Sequence, residues 1–164
     1  MAVAFLSLGS NMGDSKSLIK NALLDISSLD KVTSLKASSL YCTKPVGYLD
    51  QDDFVNVCAI IETTYEKEEL LKHFQDLEQK YKRVRLFKDG PRTLDIDILT
   101  YDDVISDKKE LILPHPRMHE RAFVLIPLME IAPDAVIAKH NQSVSELANK
   151  LPYDQIEGVK KINE

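Results

Sequence analysis

Between residues 3 and 101 the hydrophobic period changes from strand-like to helical and back, twice. VAFLSL (3–8) is a short strand-like run that ends in Gly9-Ser10-Asn11. Behind it Leu18, Ala22, Ile26 and Leu29 recur at helical spacing, and Asp14 or Ser15 can cap that helix. A second strand region lies within 32–43, and a third covers about 53–63. Leu70, Phe74, Leu77 and Tyr81 then mark one face of an amphipathic helix over about 66–82. TLDIDILTY (93–101) supplies the fourth strand.

This β-α-β-β-α-β order is the split βαβ, or ferredoxin-like, arrangement, so the predicted class is α+β. Right-handed crossovers fix an antiparallel sheet with strands in the order 4-1-3-2. The remainder extends that core. The Asp102-Asp103 turn is expected to begin a hairpin, with a short strand at LIL (111–113). A helical segment within 117–131 is expected to be interrupted by Pro127. A last helix starts at Ser143, which forms a capping box with Glu146. With 164 residues, 44% of them hydrophobic, and no repeat or long linker, the reading is a single domain over 1–164.

The topology has a consequence for function. The first and second strands and the second helix all end at one edge of the sheet, where the third and fourth strands begin. Gly9-Ser10-Asn11, Tyr41-Cys42-Thr43, Phe54 to Asn56, Glu78 to Arg85 and Arg92 to Asp97 should therefore converge.

Asp95 and Asp97 are the most informative members of that set. Side chains two apart in a strand share a face, with Cα atoms roughly 6.6 Å apart. Leu94, Ile96 and Ile98 take the opposite face. Two carboxylates so placed can hold a hard cation such as Mg²⁺, which takes one or two carboxylates plus phosphate and water. Plain amphipathic alternation with a polar outer face accounts for the same triplet.

Charge narrows the choice. A net charge of −5 argues against general nucleic-acid binding. Against that background KYKRVRLFKDGPR (80–92) holds six basic residues and one acid. Arg83, Arg85 and Arg92 suit a specific anion such as a polyphosphate, although a helix end also favours basic residues. Neither GxxxxGK[ST] nor GxGxxG occurs, so side chains would have to do the phosphate binding.

Asn56 interrupts a strand of Val, Cys, Ala and Ile and shares a face with Phe54. Its amide could complement the edge of a heterocycle, with Phe54 and Phe123 as stacking faces, or it could be an edge-strand Asn in water. His115, Arg117, His119 and Arg121 could close a second side around a phosphate, or form an exposed loop. Cys42 and Cys58 lack metal-ligand spacing, and Cys58 reads as a small buried hydrophobe. FVLIPLM (123–129), the longest uncharged apolar stretch, is too short for a bilayer, and MAVAFLSLGSN lacks a basic n-region. The expectation is a soluble, cytoplasmic protein with no membrane partner.

At this point the residues resemble a known family. Lys88-x-Gly90-Pro91-Arg92-x-x-Asp95-Ile96-Asp97-Ile98-Leu99 is similar to the signature of the 6-hydroxymethyl-7,8-dihydropterin pyrophosphokinases of folate biosynthesis. LGSNMGD, YCTKPVGYLDQDDFVN (41–56), ELLKHFQDLE (69–78), RVR (83–85) and LPHPRMHERAFVLIPL (113–128) follow the same order, so the resemblance runs from residue 2 to about 135. It implies transfer of the terminal diphosphate of ATP to the pterin hydroxymethyl oxygen, with release of AMP. Asp95 and Asp97 would then bind two Mg²⁺ ions, and Arg83 and Arg92 match the family's catalytic arginines. Gln75, Glu78, Arg85, Ile98, His115 and Arg121 match its ATP site. Thr43, Lys44, Val46, Phe54, Asn56 and Phe123 match its pterin pocket. Some members are fused to a neighbouring folate enzyme.

The chain departs from the pattern at Lys44, at a shorter 86–89 loop (LFKD), and at Glu110 and Ile112. Two other classes compete. A nucleotidyltransferase also pairs Gly-Ser with a D-h-D triplet, but Ser10 and Asp95 stand 85 positions apart. A non-catalytic ferredoxin-like binding module would leave the carboxylates as surface decoration.

Overall fold

The structure is a computed structural model that describes residues 1–11, 14–43, 54–84 and 94–162, without the side chains of 83 and 84. In chain order the core comprises β1 (Ala2–Ser10), α1 (Ser15–Ser27), β2 (Val32–Ala37), β3 (Tyr41–Thr43), β4 (Phe54–Thr63), α2 (Lys67–Val84) and β5 (Leu94–Tyr101). β6 (Ser106–Lys108) and β7 (Leu111–Leu113) follow, then a 3₁₀ turn (Met118–Glu120) and α3 (Ala122–Ile131). The chain continues through β8 (Val136–Ile137), β9 (Gln142–Ser143), α4 (Val144–Ala148), α5 (Tyr153–Glu157) and β10 (Val159–Lys161).

The main sheet runs β10-β3-β4-β1-β5, with β2 beside β3 along the same edge of β4, and every pairing is antiparallel. The central order is the one the crossover rule gives. The second strand region is split in two, and Ser38 explains the break. Its backbone N–H donates to the Cys58 carbonyl at 2.8 Å, and its hydroxyl accepts the Cys58 N–H at 3.0 Å. A side chain thus replaces one rung of the ladder. β10 adds a strand that no hydrophobic pattern announces: Val159, Lys160 and Lys161 pair with Thr43, Cys42 and Tyr41.

One face of the sheet carries Leu6, Leu8, Val55, Val57, Leu94, Ile96 and Ile98 against Ile19, Ala22 and Ile26 of α1 and Leu70 and Phe74 of α2. Asp14 caps α1, accepting the Ser17 N–H at 3.2 Å. Part of the other face lies under α3 and α4, where Cys58 and Leu99 join Val124, Leu125, Leu128, Val144 and Leu147.

Two expectations change. Asp102 does turn the chain, at φ 50, yet β6 pairs with β7 rather than with β5. The Asp102 N–H donates to the Val3 carbonyl and its Oδ1 accepts the Val3 N–H, both at 2.8 Å, which ties the turn to β1 instead. Pro127 lies inside α3 without ending it. Burial of Val124, Leu125 and Leu128 around it offsets a proline penalty of about 3 kcal/mol. Among the described residues no helix is long and apolar enough to cross a membrane.

Candidate active site

Register builds the site. Gly9 stands opposite Asn56 on one side and Asp95 on the other, and Ser7 likewise stands between Cys58 and Asp97. On β3, Tyr41 faces Asn56 and Thr43 faces Phe54. Directly paired residues share a face. Asp95, Asp97, Asn56, Phe54, Tyr41 and Thr43 therefore look out from one side of the sheet, as the convergence argument requires.

Gly9 is small for a reason. A Cβ there would lie 3.0 Å from Asn56 Oδ1, so the buried amide rests over the glycine. Asn56 Nδ2 donates to Thr43 Oγ1 at 3.0 Å, which fixes which way the amide points. Sequence reading put Gly9 in the converging set without giving it a role; a glycine inside a strand was the available signal.

The two aspartates sit on β5 with Asp95 exposed and Asp97 half-buried. Protein around the Asp95 carboxyl raises its pKa, and the charge of Asp97 raises it further. From α2, Glu78 Oε2 accepts the backbone N–H of Ile96, the residue between them, at 2.8 Å. Burial raises the pKa of Glu78; the Ile96 N–H works against this, while Asp95 and Asp97 add to it. Three carboxylates without a cation are thus mutually unfavourable, which suits a donor set made for positive charge. Among the described residues no three acidic, His or Cys side chains form a metal cage by themselves. The pair fits Mg²⁺ only in the mode where phosphate and water complete the shell.

His115 closes the site from the segment after β7. Its Nδ1 accepts the Arg117 N–H at 3.2 Å, so the neutral ring carries its proton on Nε2. Burial lowers its pKa, Asp97 opposes that, and Arg121 and Arg117 reinforce it. Arg121 lies over the Phe123 ring, 5.4 Å from its centroid. The side chains of the other two residues of the group have acidic or ring partners of their own. Arg117 pairs with Glu120 at 3.6 Å, and the His119 ring packs against His140 at 4.5 Å between centroids.

Gln75 is exposed on α2, three residues before Glu78. Ile98 is 4% exposed with its side chain in the core, on the face opposite the aspartates, so a nucleotide could reach only its backbone. Lys44, Val46, Arg85 and Arg92 lie outside the described residues, as does the Arg83 side chain. Glu110 and Ile112 are exposed on the β6–β7 hairpin. Ser10 is beside Asp95 in space, opposite Leu94, but its side chain is buried on the core face. The nucleotidyltransferase arrangement fails on that orientation, whatever the chain separation.

Residues 5–133 match the family model described as 7,8-dihydro-6-hydroxymethylpterin-pyrophosphokinase (HPPK). The 2-amino-4-hydroxy-6-hydroxymethyldihydropteridine pyrophosphokinase of Bacillus subtilis is 40% identical over 158 residues, covering 96% of this chain and 89% of that protein. The protein of the same name from Haemophilus influenzae is 41% identical over 150 residues, covering 92% and 93%. The folic acid synthesis protein fol1 of Schizosaccharomyces pombe is 38% identical over 154 residues, covering 94% of this chain but 21% of that protein. Among solved structures, Plasmodium falciparum HPPK-DHPS superimposes with a TM-score of 0.74 at 17% identity. That match covers 100% of this chain and 48% of the other, so this chain spans about half of it.

Proposed function

This chain belongs to the 7,8-dihydro-6-hydroxymethylpterin-pyrophosphokinase family, and on that premise we propose that it transfers the terminal diphosphate of ATP to the hydroxymethyl oxygen of 6-hydroxymethyl-7,8-dihydropterin, releasing AMP, in folate biosynthesis. The observation that carries the reading is the row Asp95–Gly9–Asn56. It puts Asp95, with Asp97 two residues on, on the same sheet face as the Asn56 amide; a carboxylate pair suits a metal nucleotide and an amide suits the edge of a heterocycle.

Asp95 and Asp97 are the proposed ligands of two Mg²⁺ ions. When bound, the metal supplies neutralisation of triphosphate charge at the phosphorus under attack. The chain's own residues bind and orient. Glu78 steadies the backbone between the aspartates, and Nε2–H of His115 is a donor available to a phosphate or nucleotide oxygen. Gln75, Arg85, Arg121 and the backbone at Ile98 complete the proposed nucleotide side, and Arg83 and Arg92 the proposed transfer machinery. Asn56, held by Thr43, reads the pterin edge. Phe54 and Phe123 are the proposed stacking faces for the ring, and Lys44 and Val46 complete the proposed pterin-binding set. Diphosphate transfer asks chiefly for positioning and electrostatic stabilisation, so no protein nucleophile is needed.

The finer description of the core as ferredoxin-like, a cytoplasmic location and association with another folate enzyme belong to the same proposal. The relatives named HPPK-DHPS and fol1, much longer than this chain, support the last. The test is to incubate the protein with Mg²⁺, ATP and 6-hydroxymethyl-7,8-dihydropterin and identify the products. AMP together with a pterin diphosphate is the expected result. ADP, free pyrophosphate or no turnover overturns the reading.

A further inference from the structure

We propose that Glu130, at the far end of α3, is a positioning residue that sets the pterin wall of the site by clamping β3. This rests on the pterin assignment above, and it concerns a residue just past the last of the motifs that carry that assignment.

Glu130 gathers three donors from the segment entering β3. Its carboxylate accepts the Tyr41 hydroxyl at 2.6 Å, and the Ser39 N–H and hydroxyl at 3.1 Å. Burial opposes its charge, but the bonds from Tyr41 and Ser39 outweigh this and hold its pKa below the ordinary value. The carboxylate is therefore an acceptor for all three donors at neutral pH.

The other end of α3 is pinned as well. Cys58 Sγ donates to the Val124 carbonyl at 3.3 Å, which fixes the start of the helix over β4. Phe123, the proposed stacking ring, is the neighbour of Val124. Tyr41 is buried and stands directly opposite Asn56 across the β3–β4 ladder, and two residues later Thr43 holds the Asn56 amide. One short helix thus carries Phe123 at one end and grips the strand that orients Asn56 at the other. The distance between the stacking face and the edge-reading amide depends on the Glu130–Tyr41 bond. The path runs through α3, β3 and β4, while the aspartates stand on β5 across the intervening β1.

The chain contains no Trp, so pterin fluorescence can be titrated without that background. The experiment measures affinity for the pterin, with Mg²⁺ and a non-hydrolysable ATP analogue saturating, and separately for the analogue itself. The proteins are wild type, Tyr41→Phe, Glu130→Leu and the double variant, each checked by thermal melting; Tyr41→Phe keeps the ring and its packing, and Glu130→Leu keeps the bulk but cannot accept. Each single variant is expected to weaken pterin binding about three- to tenfold, the worth of an ordinary hydrogen bond, because the clamp acts on the pterin only through β3. The double variant should lose no more than either single, with analogue affinity within about twofold of wild type. Equal loss for both ligands, additive losses or unchanged pterin affinity overturns the clamp. A wild type that binds the analogue but no pterin overturns the functional reading and the clamp with it.

Discussion

Glu78 of α2 accepts the backbone N–H of Ile96 at 2.8 Å, so the residue between Asp95 and Asp97 is held by a helix. β5 is an edge strand of the main sheet, paired on one side with β1. This bond supplies on the other side a restraint that a neighbouring strand would normally give. Glu78→Ala should lower kcat/KM by about tenfold or more through lost positioning, whereas Glu78→Gln, which can still accept, should retain most activity. Steady-state kinetics on both variants checks this. Equal losses would mean that the charge matters rather than the bond.

Asp97→Ala should reduce AMP formation by at least about a hundredfold while the fold persists. Circular dichroism alongside the activity assay separates the two effects. Normal turnover would remove the metal assignment.

Asp95 offers a pH test with a definite sign. Its pKa is raised in the folded chain by burial and by Asp97, so the folded state binds protons there more readily than the unfolded state. Its contribution to stability therefore falls as pH rises from the ordinary carboxylate value through the raised one. Removing the charge in Asp95→Asn should raise the metal-free Tm at pH 7, by no more than about 3 °C given its exposure. The gain should vanish at a pH below the ordinary carboxylate range, and the same variant should lose activity. A metal-free Tm that falls at pH 7 would contradict this account.

Gly9→Ala places a Cβ 3.0 Å from Asn56 Oδ1. The amide must shift, and its bond to Thr43 is lost or lengthened. The pterin KM should rise about five- to tenfold with the ATP KM nearly unchanged, as expected for one misplaced hydrogen-bonding group. Matching changes in both constants would show that the sheet, not the amide, had moved.

Ser143→Ala removes the cap of α4. Ser143 accepts the Glu146 N–H at 3.1 Å and Glu146 returns a bond to the Ser143 N–H at 2.9 Å. Loss of about 1 kcal/mol is expected, a fall of a few degrees in Tm, with kcat unchanged. A change in kcat would tie this helix to the chemistry.

Much of the site was legible because strand geometry has a period of two. That period alone puts Asp95 and Asp97 together and sends Ile96 to the other face, and the order of elements brings Asn56 to the same edge. Motif resemblance then names the chemistry. β10 was not legible, since Val159-Lys160-Lys161 has no local hydrophobic signal and becomes a strand only by pairing with β3. The group at 115–121 was open between a second wall around a phosphate and an exposed loop, and the structure divides it: the His119 ring packs against His140, while His115 lies within electrostatic reach of Asp97 and Arg121.

The sequence by itself determined the order of the βαββαβ core, the buried faces of its elements and the carboxylate pair, because these follow from local periodicity and side-chain chemistry. Only the tertiary structure decided that Gly9 lies between Asp95 and Asn56, that Ser10 faces the core, and that Glu130 reaches Tyr41. Those relations depend on register and helix docking. Both are set by packing between segments tens of residues apart, where a shift of one residue would turn every side chain to the opposite face.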